Sequence, residues 1–259
     1  MKQFLISVSV CSVMMLSGTG TATAQDEGSE GPSIFPVEVY TCNYNDGKGP
    51  ADLDSWSEKW NAWADSGALE PYSAWTLTPF YFGSDQDFDF IWLGAADNAV
   101  ALGRAYDKYL NDSGDLQAQF NQFASCGGHS NFATYTVKEP PDNDDSTSFV
   151  LSFSDCTIAE GKTFDDVAPA LQTWSEYRTG HGSEAGMWVL FPAYGGGDAD
   201  YDFKFVASHA DYATLGADYD QYGKGGYAKA EELFNGLLEC NEARVYNAST
   251  RREGMSEDS

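Results

Sequence analysis

Trp75-Thr76-Leu77-Thr78-Pro79 and Trp188-Val189-Leu190-Phe191-Pro192 carry a tryptophan and a proline in the same places, in two distant parts of one chain. Downstream, Phe88-Asp89-Phe90 is answered by Tyr201-Asp202-Phe203, and Leu102-Gly103 by Leu215-Gly216. Upstream, a displacement one residue longer sets Cys42 on Cys156, Gly47-Lys48 on Gly161-Lys162 and Trp60 on Trp174. The longer displacement returns at Phe120/Phe234 and Cys126/Cys240. A series this long, with only two compensating length changes, predicts an internal duplication. The reading divides the chain into repeat 1 over 37–137, a polar linker over 138–148 and repeat 2 over 149–249. Residues 25–36 and the tail 250–259 read as loosely ordered.

Each repeat reads strand, helix, strand, strand, helix, strand. Val37 to Cys42 and Phe149 to Cys156 are short apolar, β-branched or aromatic runs that suit strands. Leu53, Trp56, Trp60 and Trp63 recur at helical spacing, as do Val167, Leu171, Trp174 and Tyr177. Second strands follow at Trp75 to Phe82 and Met187 to Phe191, and third strands at Phe88 to Leu93 and Tyr201 to Val206. The second helix breaks at Ser113-Gly114. Fourth strands are read at His129 to Val137 and Ala243 to Ala248. This βαββαβ order is that of the ferredoxin-like unit. Two such units in tandem, with antiparallel sheets packed face to face, resemble the dimeric α+β barrel superfamily, and the fold class is α+β. The resemblance covers about 36 to 248 and rests on element order and duplication, with no diagnostic short motif. It implies kinship with cofactor-free monooxygenases, haem enzymes, isomerases and stress-response proteins, a range too broad to fix a function.

The chain has 259 residues, 42% of them hydrophobic and 15% aromatic, enough to bury a core. Its formal net charge of −26 argues against a nucleic-acid partner and against docking on an anionic membrane. Lys2, the apolar run Phe4 to Leu16 and Ala22-x-Ala24 read as a signal peptide over 1–24, of bacterial type. Periplasmic or secreted localisation is therefore expected, with no membrane attachment after cleavage. Cleavage leaves Cys42, Cys126, Cys156 and Cys240. In a ferredoxin-like unit the first and fourth strands are antiparallel neighbours, so the pairing expected is Cys42–Cys126 and Cys156–Cys240, in an oxidising compartment. A zinc site from the four cysteines lacks any C-x-x-C spacing.

No metal or cofactor motif stands out, so none is expected. His129, His181 and His209 have no histidine at their twin positions; His209, following a third strand, is the best placed near a cavity rim. The duplicated Gly-Lys, with Lys48 and Lys162, precedes a helix start. It reads either as a turn glycine whose lysine pairs with a nearby acid or as an anion contact at a cavity mouth. It is no P-loop, because the earlier glycine is missing. The third strands leave two assignments open. If Phe88, Phe90 and Trp92, with Tyr201, Phe203 and Phe205, face the helices, then Asp89, Asp202 and Lys204 enter the space between the sheets. If the aromatics face inward, they form core or an apolar pocket. Lys204 stands where the other repeat has Ile91, and a charge on an apolar face needs a partner unless it points to solvent. Trp75 and Trp188 are core, or join a ligand site. The loops at Gly83 and Gly195 are acidic turns without calcium-loop spacing.

Two function classes follow. One is an exported acidic protein that binds a small molecule or a partner, with any ligand between the sheets. The other is a cofactor-free enzyme of monooxygenase or isomerase type. A monomer is expected, because the second repeat supplies the partner that a single repeat would need.

Overall fold

The computed structural model describes residues 34–68, 71–141, 147–197 and 199–254. The signal peptide read over 1–24 lies outside them, as do the ends of the chain and the middle of the linker. The first half runs β1 (Ile34–Tyr44), α1 (Pro50–Trp63), β2 (Tyr72–Tyr81), β3 (Phe90–Ala96), α2 (Ala99–Asp112), α3 (Leu116–Phe123) and β4 (Ala124–Lys138). The second runs β5 (Ser148–Ile158), α4 (Phe164–Gly180), β6 (Gly186–Tyr194), β7 (Phe203–His209), α5 (Tyr212–Gln221), α6 (Tyr227–Phe234), β8 (Leu238–Cys240) and β9 (Arg244–Arg252).

All strand pairings are antiparallel. β1 lies between β4 and β3, and β3 pairs β2. β5 lies between β7 on one side and β8 and β9 on the other, and β7 pairs β6. The halves are not separate stacked sheets. β2 pairs β9 (Leu77 opposite Ala248) and β4 pairs β6 (Thr134 opposite Leu190), so eight strands close into one barrel. Closure removes the exposed edges that each four-stranded sheet would otherwise carry.

β1 shows why the strands read as apolar on both faces. Val37 and Val39 point into the barrel, while Tyr40 and Cys42 point toward the helices. Three cores result. One, rich in tryptophan, lies under α1–α3 around Trp56, Trp60 and Trp92. The second fills the barrel around Leu77, Ile91, Leu151 and Leu190. The third lies under the helices of the second half around Val167, Leu171, Met187 and Phe203.

Helix starts follow the sequence. Pro50 opens α1, and the Asp52 carboxylate accepts from the Gly49 N–H at 3.1 Å. At α4, Asp166 reaches back to the Thr163 N–H at 3.0 Å. Gly47 and Gly161 take φ of 74° and 77°, which explains why this glycine occurs in both halves. Both expected disulfides are present, Cys42–Cys126 and Cys156–Cys240, each pairing residues opposite one another in the ladder.

Several boundaries differ from the sequence reading; the second strand, for one, begins at Tyr72, and the third strands run on to Ala96 and His209. β1 begins at Ile34 and β9 runs to Arg252, so strand claims residues read as loose ends. Cys126 lies inside β4 rather than ahead of it. The third strands begin at Phe90 and Phe203, two residues late, and Asp89 and Asp202 are used as caps described below.

Candidate functional site

The inward-facing side chains divide the barrel into a filled end and an open one. At the end where β1 and β5 finish, Phe153 packs edge-on against Tyr246 at 5.6 Å, and Phe88 stacks on Tyr246. Beyond them Asp155 binds Lys204 and, at 2.6 Å, Arg244, while the Lys204 ammonium sits 4.0 Å over the Tyr201 ring. Burial disfavours the Asp155 carboxylate, yet the two cations hold its pKa below the usual value. Lys204 thus points inward and is partnered; it does not project to solvent.

The opposite end is open. A cavity of about 680 Å³ enters there between residues that the sequence superposes in pairs: Phe35 with Phe149, Trp75 with Trp188, Leu93 with Val206. Glu139, Glu184 and Glu253 stand in its lining beside Pro140 and Pro141. The cavity continues to Ser183, His209 and Asp218 on the helix side of β7. His209, at 6% exposure, ends β7, and its Nε2 is 2.9 Å from Asp218 Oδ2 on α5. The same oxygen accepts from Ser183 Oγ at 2.9 Å and from the buried Arg178 guanidinium. Burial acts to raise the Asp218 pKa, but His209, Arg178 and Ser183 together pull it down to about 2. Beside an ionised Asp218, His209 Nε2 is the donor. The His209 Nδ1 is buried with no hydrogen-bond partner. Nδ1 itself is closed off from the cavity, so a ligand reaches it only after a local side-chain shift.

The residues singled out from sequence are therefore divided. Trp75, Trp188 and His209 come together in the cavity lining. Lys204 lies at the filled end. Asp89 and Asp202 do not enter the barrel, although Phe90, Trp92, Phe203 and Phe205 do face the helices; Phe88 and Tyr201, read on that same face, pack into the barrel instead, because they precede the ladder. Asp89 and Asp202 are exposed and accept from the Tyr44 and Ile158 N–H groups at 2.8 and 2.7 Å, so each ties down the last turn of its neighbouring strand. Lys48 and Lys162 are exposed on the loops that follow β1 and β5, at the end away from the cavity. Lys48 pairs with Asp52 at 3.0 Å. His129 and His181 lie outside this cavity; His181 Nδ1 contacts the Tyr177 carbonyl at 2.7 Å. Sequence reasoning missed Ser183, Asp218 and Arg178. The available signal was an asymmetry: Asp218 and Arg178 stand where the first half has Ala105 and Ala64.

The α+β barrel superfamily that the sequence resembles includes haem enzymes. A haem presents two carboxylates that need donors or cations. Among the described residues, the lining contains carboxylates at Asp97, Glu139, Glu184, Asp218 and Glu253 and no lysine or arginine. The nearby cations are engaged, Arg178 with Asp218 and Lys138 with Thr179 and the Ser183 carbonyl. These residues do not fit a dianionic porphyrin.

No family model matches the sequence, and no curated protein matches it significantly. Solved structures do match. One is a protein from Fusobacterium nucleatum provisionally named as a monooxygenase, with TM-score 0.54, 11% identity, and coverage of 86% of this chain and 95% of that one. A second, from Lactobacillus acidophilus and provisionally named likewise, gives TM-score 0.53, 9% identity, and coverage of 85% and 95%. A protein provisionally named as a chlorite dismutase gives TM-score 0.51, 12% identity, and coverage of 84% and 94%. The likeness is one of fold: the chain shares the α+β barrel of chlorite dismutase-like and monooxygenase-like proteins.

Proposed function

We propose that the protein binds a neutral, largely aromatic organic molecule in the open end of the barrel. One observation carries this reading: a cavity of about 680 Å³ walled by Phe35, Phe149, Trp75 and Trp188, with His209 in its lining. The aromatic walls favour a flat apolar body, and His209 Nδ1, once reached, favours a hydroxyl or N–H donor on it. The carboxylates in the lining disfavour anions. 1-Naphthol and 1-naphthoate test this, read by tryptophan fluorescence. Naphthol should saturate one site, bind at least ~10-fold more tightly than naphthoate, and lose at least ~10-fold in Trp188→Ala. Equal binding of the two probes, or indifference to Trp188→Ala, would overturn the reading.

The His209–Asp218 pair favours a second reading, a cofactor-free enzyme acting on the same ligand. His209 Nδ1, opened by that side-chain shift, would take a proton from the ligand, and Asp218 would stabilise the imidazolium. The names of the fold neighbours support an enzyme-like role without specifying it. In that case His209→Gln retains binding but loses turnover.

Around this site we read the chain as an exported protein with a signal peptide over 1–24, consistent with its two disulfides. We read 37–137 and 149–249 as tandem ferredoxin-like repeats. Matching strand orders and matching disulfide positions support that duplication. A barrel closed within one chain supports a monomer.

A further inference from the structure

We propose that the first half holds a second, separate site, for a small quaternary ammonium ion. Between its sheet and its helices lies a cavity of about 290 Å³, walled by Trp56, Trp60, Trp92, Tyr109 and Phe120. Its floor is Glu38, the one charged residue of β1, at 3% exposure. Trp60 meets Trp92 edge-on at 5.1 Å and Tyr72 at 5.9 Å, and Trp56 meets Trp92 at 5.7 Å, so a packed aromatic cluster lines the same cavity as the carboxylate. Among the described residues, no lysine or arginine lines the cavity. A buried negative charge beside aromatic side chains is the arrangement that attracts an organic cation.

The hydrogen bonds narrow the class. Glu38 Oε1 accepts from Tyr72 Oη, and Oε2 accepts from Tyr106 Oη and lies 3.0 Å from His129 Nε2. Tyr72 Oη in turn accepts from Trp92 Nε1 at 3.1 Å. His129 is held by stacking on Tyr40, with ring centroids 3.7 Å apart. Burial and the Glu38 charge push the Tyr72 and Tyr106 phenols up, so both remain neutral donors. The carboxylate is thus oriented from the protein side, and a primary amine would compete with these donors for its lone pairs. A methylated head group needs only the charge and the aromatic faces. Gly94 makes room for the cluster, since a methyl there would collide with Tyr72 Oη and Glu38 Oε1. The second half has Ser152 in place of Glu38, Ala185 in place of Tyr72 and Ala243 in place of His129, so this cluster exists once. Gln117 and Asn121, both exposed, stand in the lining at α3 and mark the entrance.

The test is calorimetric titration with choline, its neutral isostere 3,3-dimethylbutan-1-ol, and propylamine. Choline should bind one site, and each comparison compound at least ~10-fold more weakly. Glu38→Gln should weaken choline at least ~10-fold while leaving naphthol binding unchanged. That variant also separates the site from general attraction to an acidic surface, because it removes one charge from a chain at −26. Absence of choline binding, equal binding of the isostere or of propylamine, or full choline binding by a folded Glu38→Gln protein would each overturn the proposal. If Glu38→Gln fails to fold, the three-ligand comparison on the unaltered protein decides alone.

Discussion

Lys204 and Ile91 occupy twin positions, yet only one is charged. The sequence exposes that break in symmetry, but not its resolution, because Asp155 and Arg244 come from β5 and β9. Removing the ammonium leaves Asp155 with Arg244 alone in a half-buried place. Lys204→Met should cost about 1–3 kcal/mol in urea denaturation. It should leave naphthol binding untouched, since Lys204 is at the filled end; a loss of binding without a loss of stability would contradict this placement. Asp218 makes a pH prediction. Its folded pKa, about 2, lies below the ordinary 3.8, so it stabilises the fold fully above the ordinary value. That contribution is lost as pH falls through about 4 toward 2. Asp218→Asn should be less stable at neutral pH and show a smaller further loss over that acid window; an unchanged acid limb would contradict the assignment. His209 was legible as a lone histidine after a third strand. Its partner Asp218, 9 residues on, was not, and neither were Arg178 and Ser183, which bind that carboxylate from distant points in the sequence. Glu38 was overlooked although it is a lone charge on a strand apolar on both faces, a pattern that signals a buried, partnered carboxylate.

At the level of elements, alternation and helical spacing located the strands and helices, and ladder geometry placed the cysteines. Each disulfide spans a sequence separation of 84. Chain entropy assigns such a loop about 4 kcal/mol. A non-reduced digest should yield only the two within-half linkages, and Cys156→Ala/Cys240→Ala should lose up to about that stability; a Cys42–Cys156 peptide would contradict the fold itself. The starts of the third strands were less legible. Phe88-Asp89-Phe90 alternates like a strand, but pattern alone does not reveal that Asp89 folds its carboxylate onto the Tyr44 N–H where the pairing with β1 ends. The same happens with Asp202 at Ile158. The Gly-Lys loops also resolve at this scale: the glycine is required by backbone geometry, and Lys48 is occupied by Asp52.

For the whole molecule, the repeated sequence pattern pointed to the fold class, while closure was hidden. Periodicity says which face of a strand is buried; it does not say that β2 will seek β9 or β4 will seek β6. That closure turns the space between two sheets into a barrel with one sealed end and one usable end. The charge is also a property of the whole. With 40 acidic against 14 basic residues, like-charge repulsion opposes compaction, so Tm should rise with sodium chloride up to moderate concentration. A flat Tm from low to moderate salt would show that local ion pairs already neutralise the field. The central claim is that the open end of this barrel is a ligand site, and a crystal structure of the protein soaked with 1-naphthol tests it most directly. The naphthalene ring should lie between Trp75 and Trp188, with its hydroxyl toward the His209 end of the cavity. A cavity collapsed with the two indoles in contact, or naphthol seated elsewhere, would contradict it.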